Sequence, residues 1–272
     1  MEKILSSIYL FILAGFCYAQ ASADSILNQG LTLYRTEKAS WVATDLLLRD
    51  FPELKSQVRG YVSYIDSNNV ITVFHGKKPD NILLKFIFDS LPSPEKYAVK
   101  TRETATNFEK KLIRMRQYAL EILSNDTENF FDFYQNTSFN LIPIISKNER
   151  KVYILTGPKT PGFVLFGNDY LLTFSENNEL VSKEKLHNTL IALPVGSDED
   201  NTVLKMTMHS HVKTPYITET DICTMLLYKN FVQWKTHTVI SEKFASIFDL
   251  ENETLQIIPI EAWEKSQGIE KD

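Results

Sequence analysis

Apolar residues recur at helical spacing in two early segments, and at strand spacing or in short β-rich runs along most of the remaining chain. From Ser25 to about Arg49, the residues Ile26, Leu31, Leu33, Trp41, Leu46 and Leu47 predict a helix with an irregularity near Tyr34, ended by Phe51-Pro52. Residues 60–65 and 70–74 are rich in β-branched and aromatic side chains, and the polar run Asp66 to Asn69 between them predicts a hairpin turn. A third strand is expected over 82–88. After Pro92 and Pro94, the spacing of Phe108, Leu112, Met115, Ala119, Ile122 and Leu123 predicts a long helix over 101–125.

Beyond the short aromatic segment 130–134, strands take over: 139–145, 152–156, 163–174, 190–195, 203–211, 238–248 and 255–260, with one helix over 219–232. The expected class is α+β, with a domain boundary in the polar stretch Gln135 to Ser138. That gives an N-terminal α+β region over 24–138 and a second domain over 139–272. In Phe166-Gly-Asn-Asp-Tyr170, the glycine within an apolar run predicts a bulge.

The first residues follow a different logic. Lys3, an apolar run from Ile4 to Phe16 and small residues at Ala19, Ala21 and Ala23 form the pattern of a secretory signal peptide, 1–23. The mature chain is then expected to begin near Ser22 or Asp24, exported to the periplasm or secreted. Lipid anchoring through Cys17 is less favoured because the bulky Phe16 precedes it. Once the leader is removed only Cys223 remains, so no internal disulfide is expected, and Cys223 reads as a small buried hydrophobe. No second long apolar run predicts a transmembrane helix.

A net charge of -5 and a pI near 5.6 give no cationic surplus to replace counterions along a phosphate backbone, which argues against nucleic acid as a partner. The absence of a Gly-x-Ser-x-Gly elbow, a phosphate-binding glycine loop and a Cys-x-x-Cys pair removes three further classes of chemistry.

The candidate chemistry sits in Met206 to Tyr228. His209 and His211 lie two apart on a predicted strand and so face the same way. The stretch 212–217 allows the chain to turn back, and a helix starting at Thr218 carries Asp221 on its first turn. Two imidazoles and one carboxylate with an open fourth position is the donor set of a catalytic zinc site. Thr218-x-x-Asp221 is equally a helix N-terminus, the hydroxyl capping a first-turn amide and the aspartate favoured by the helix dipole. Both readings stay open on residue types alone. Of the other histidines, His187 reads as a surface residue, His237 as the start of a strand and His75 as the end of one.

His-x-His followed by a short loop, a hydroxyl residue, two residues and an aspartate resembles the signature of the JAB/MPN (JAMM) metalloproteases and the related RadC-like proteins. The resemblance covers roughly residues 140–260. It implies a mixed-sheet, cytidine-deaminase-like fold, Zn2+ held by His209, His211 and Asp221, and Thr218 in the place of the serine that polarises a scissile carbonyl. It also implies an upstream glutamate acting as general base. Glu149 lies in a suitable range, among neighbours typical of an exposed turn. The function so implied is hydrolysis of a peptide or isopeptide by a zinc-bound water. The alternative is a non-catalytic envelope or partner-binding protein that keeps the fold and a structural or vestigial metal.

Overall fold

A computed structural model describes residues 2–147, 149–195 and 206–269, with side chains from residue 22 onward. The fold is mixed α+β. The described residues form two compact units: Thr32–Leu193, and Met1–Leu31 with Pro194–Asp272.

The helix expected over 25–49 belongs to a continuous helix α1, Glu2–Asp50, without a break at Tyr34. The expected leader falls in its first half, and its side chains to residue 21 lie outside the described residues. In the Thr32–Leu193 unit, β1 (Gly60–Asp66) and β2 (Asn69–His75) form the predicted hairpin. Ser67 takes the positive φ (56°) that the tight turn requires. The sheet continues antiparallel through β3 (Asn81–Phe88) to β4 (Tyr97–Thr104). The predicted helix therefore starts later than 101, because residues 101–104 complete β4. A capping box between Thr106 and Glu109 opens α2 (Asn107–Ser124), and that local signal outweighs the helical spacing upstream.

Strand periodicity decides how the sheet is buried. Val70 and Phe74 of β2 pack with Ala39, Val42, Ala43, Leu46 and Leu47 of α1. Ile71 and Val73, on the other face, join a second core with Leu112, Ile113 and Met115 of α2. That second core also takes in Leu141 of β5 (Thr137–Ile145), Val152 and Ile154 of β6 (Arg150–Pro158), and Tyr170 and Leu172 of β8 (Tyr170–Phe174). The stretch 135–138 thus joins two parts of one packed unit.

The single strand expected over 163–174 is interrupted at the anticipated glycine, and the interruption is larger than a bulge. With Gly167 at φ 86° and Asn168 at φ 54°, β7 (Phe163–Gly167) pairs with β10 (Leu190–Pro194), while β8 joins β5, β6 and β9 (Leu180–Lys185) in another sheet. A Cβ on Gly167 would lie 2.2 Å from the Thr189 carbonyl oxygen, so only glycine fits. Residues 180–185, of which only Leu180 and Val181 are apolar, form a strand that apolar patterning does not announce.

In the other unit, β11 (Met206–Ser210) runs parallel to β12 (Thr236–Ile240), which pairs antiparallel with β13 (Phe244–Asp249), and β13 with β14 (Thr254–Pro259). Residues 203–205 of the expected strand lie outside the described residues. The expected strand 238–248 is a hairpin turning at 241–243, and a short α4 (Ile260–Ser266) follows β14. Parallel pairing requires a crossover, which α3 (Glu219–Tyr228) supplies. From Thr220 to Leu227 every residue of this helix is buried, the apolar Ile222, Cys223 and Met225–Leu227 together with Thr220, Asp221 and Thr224. Gly30 of α1 meets it: a Cβ there would lie 2.7 Å from Ile222 Cβ.

Candidate metal centre

The site is built on the β11–α3–β12 crossover. Along β11, Thr207 and His209 are buried while Met206, Met208 and Ser210 are exposed, and His211 immediately follows, buried as well. Alternation thus sets both histidines on the inner face. The parallel register sets Thr207 opposite His237 and His209 opposite Val239. A slip of one residue would turn His237 away from the cluster.

The connecting loop is anchored at both ends. Ser241 Oγ donates to the Pro215 carbonyl (2.7 Å), and the Ile217 amide donates to Ser246 Oγ (3.2 Å). The loop in turn fixes His211. Thr214 Oγ1 donates to the Tyr216 carbonyl at 2.9 Å. Both oxygens lie 2.8 Å from His211 Nδ1 and can only accept from it. The proton of neutral His211 is therefore on Nδ1, and its lone pair is on Nε2.

At the start of α3, the capping arrangement is present in full. The Thr218 amide (2.9 Å) and hydroxyl (2.7 Å) both donate to Asp221 Oδ2, while the Asp221 amide donates back to Thr218 Oγ1 at 3.3 Å. The same carboxylate faces the histidines. His211 Nε2 lies 3.3 Å from Asp221 Oδ2, and His209 Nε2 lies 3.8 Å from Oδ1. The two Nε2 atoms are 2.9 Å apart.

Ligand bonds of about 2.0–2.1 Å at tetrahedral angles separate neighbouring donors by about 3.3 Å. The two nitrogens are 2.9 Å apart, and each lies 3.3–3.8 Å from its nearer carboxylate oxygen, Oδ2 for His211 and Oδ1 for His209, so the separations lie around that value. One oxygen and two nitrogens converging within 4.8 Å, all on buried residues, can hold a metal ion.

His237 extends the cluster inward. Its Nε2 is 2.8 Å from His209 Nδ1 and its Nδ1 is 2.7 Å from Thr207 Oγ1, with the Trp234 ring beside it. Burial, then the neighbouring His209, push its pKa down to about 3, so the ring is neutral at ordinary pH. The reading of His237 as a plain strand residue missed this. Its partner in sequence is 28 positions away, and only the parallel register brings the two together.

The remaining residues singled out in the sequence have the following surroundings. Thr218 is the helix cap, with its hydroxyl on the Asp221 carboxylate. Glu149 is in the β5–β6 turn, where its carboxylate is half exposed (52 %) and meets Lys151 Nζ at 2.9 Å. His187, expected at the surface, is buried, with Nδ1 3.7 Å from Asp169 Oδ2. His75 is buried at the end of β2 and bonds through Nδ1 to the Gly76 carbonyl. Cys223 is buried within α3, as a small hydrophobe would be. No helix among the described residues is long and apolar enough to cross a membrane.

A groove of about 430 Å³ adjoins His211, bounded by the loop at Val212–Pro215 and by Ser241, Glu242 and Lys243 of the β12–β13 turn. In comparisons with known proteins, no family model, curated protein or solved structure matches the chain.

Proposed function

We propose that the chain is a zinc-binding protein of the JAB/MPN type, with His209, His211 and Asp221 as ligands, and that it engages a peptide or protein partner at the groove beside His211. The observation that carries the metal reading is the convergence of two imidazole nitrogens and one carboxylate at near-tetrahedral spacing. Zinc suits this set because imidazole and carboxylate are ordinary zinc ligands, and the groove of about 430 Å³ borders one of them, His211. Three protein ligands leave one coordination position for water or for a partner's oxygen.

Binding is favoured over hydrolysis because of the exposure and pairing of Glu149. A general base must stay within hydrogen-bond reach of the metal-bound water, whereas an exposed carboxylate paired with Lys151 suits a surface ion pair. Hydrolysis remains a second reading on one observation: Glu242 brings a carboxylate into the groove that His211 borders.

Elemental analysis tests the first statement, with about one zinc per chain expected, lost in His209→Ala and His211→Ala. A wild-type protein that takes up no zinc at neutral pH refutes it. Cleavage of peptide and isopeptide substrates tests the second. No zinc-dependent turnover is expected. A turnover that falls by roughly two to four decades in Glu149→Gln or in Glu242→Gln, with zinc retained, would establish the hydrolase.

A further inference from the structure

We infer that His237 is the positioning residue of the metal centre, a second imidazole whose bond to His209 decides which nitrogen of His209 faces the metal. The inference rests on the metal reading above and adds to it the group that orders the ligand. Its basis is a directed chain of four contacts: Thr207 Oγ1 to His237 Nδ1 (2.7 Å), His237 Nε2 to His209 Nδ1 (2.8 Å), His209 Nε2 to His211 Nε2 (2.9 Å), and His211 Nδ1 to the Tyr216 carbonyl (2.8 Å).

One end of the chain is fixed, since a carbonyl only accepts. His211 therefore carries its proton on Nδ1 and presents a lone pair at Nε2. With no cation between them, His209 Nε2–H must donate to that lone pair. His209 Nδ1 then accepts from His237 Nε2–H, and His237 Nδ1 accepts from the Thr207 hydroxyl. With one proton on each of the three rings, every contact joins one donor to one acceptor.

A metal requires the opposite at His209, whose Nε2 must now offer its lone pair. The proton of His209 then sits on Nδ1 and donates to His237 Nε2. The His237 proton moves to Nδ1 and donates to Thr207 Oγ1, which as a hydroxyl can accept as readily as donate. Each of the three rings still holds one proton, so the two arrangements differ by the position of two protons and by no net charge. Only a group able to exchange donor for acceptor at the same point can serve both arrangements. Imidazole does so, and the benzene ring of phenylalanine cannot. Such outer partners typically change metal affinity by about 10–100-fold when removed.

The full chain is tested, stripped of metal and titrated with Zn2+ against a competing chelator. His237→Phe, which keeps the ring and loses both nitrogens, is expected to weaken zinc binding about 10–100-fold. His237→Gln, whose amide can turn either its oxygen or its nitrogen toward His209, is expected to stay within about threefold of wild type, below the loss that removal of an outer partner causes. Nitrogen-15 NMR of wild type is expected to show the His209 proton on Nε2 without zinc and on Nδ1 with it. This last readout does not depend on whether the phenylalanine variant folds. The inference is overturned if folded His237→Phe binds as tightly as wild type, or if zinc-loaded wild type coordinates through His209 Nδ1. Wild type that binds no zinc overturns the metal reading as well, so the two failures are told apart.

Discussion

Asp221→Asn separates the two tasks that one carboxylate performs. The substitution keeps an oxygen for the Thr218 amide, now at 2.9 Å, and keeps the side-chain volume, but it removes the charge. Without metal the cost is a weaker cap and a lost charge at a helix N-terminus, each typically about 0.3–1 kcal/mol, so about 1 kcal/mol is expected together. With metal the loss is greater. Zinc at a hundredfold excess over its dissociation constant stabilises the wild type by about 2.7 kcal/mol, and this contribution should vanish when the anionic ligand is gone. Urea unfolding of both proteins, with chelator and with zinc, reads both quantities. Equal stabilisation of the two proteins by zinc would remove Asp221 from the ligand set. A metal-free cost of several kcal/mol would make it chiefly structural.

Glu37 carries the clearest pH dependence. It is buried (1 % exposed), it accepts from Trp41 Nε1 at 2.9 Å, and burial pushes its pKa from 4.5 up to about 7. Between those values the folded state holds a proton that the unfolded chain has lost, so stability falls as pH rises through the window, by up to about 3 kcal/mol. Glu37→Gln should therefore be more stable than wild type at pH 8 and nearly equal to it at pH 4 in denaturant titrations; a difference independent of pH contradicts this. Gly30→Ala gains helix propensity of about 1 kcal/mol, yet its Cβ would sit 2.7 Å from Ile222 Cβ, and overpacking of about 1–3 kcal/mol should leave a net loss. A raised melting temperature would refute that contact. Finally, mass spectrometry of protein from its native host should place the N-terminus near Ser22 or Asp24; an intact Met1 would remove the proposed leader.

What could be read from the sequence was whatever lies close together along the chain. The first hairpin, the core of α2 and the same-face placement of His209 and His211 follow from periods of two and of three to four. β4 and β9 were missed because their residues are polar. Tyr97 to Thr104 is largely exposed, and Leu180 to Lys185 alternates too few apolar side chains to signal a strand. Both are held by backbone pairing with an apolar neighbour, a cause that leaves little mark on their own composition. His187 and His237 were misread for a related reason: each is buried beside residues distant in sequence, Asp169 for one and Thr207 and His209 for the other.

The cap and the metal ligand, rivals when only residue types are considered, turn out to be compatible in three dimensions. A carboxylate has two oxygens and about four lone-pair positions. Thr218 occupies two of these at Oδ2 through its amide and hydroxyl, while the other oxygen, Oδ1, is the one nearer His209 Nε2, at 3.8 Å. The cap also fixes the rotation of the carboxylate, and a ligand held in one orientation loses less freedom on binding an ion. If the proposed zinc is bound, capping prepares Asp221 for it, as the carbonyl of Tyr216 prepares His211. Of the three proposed ligands, His209 is the one that takes its orientation from another imidazole ring, so the proposed site is most sensitive at His237.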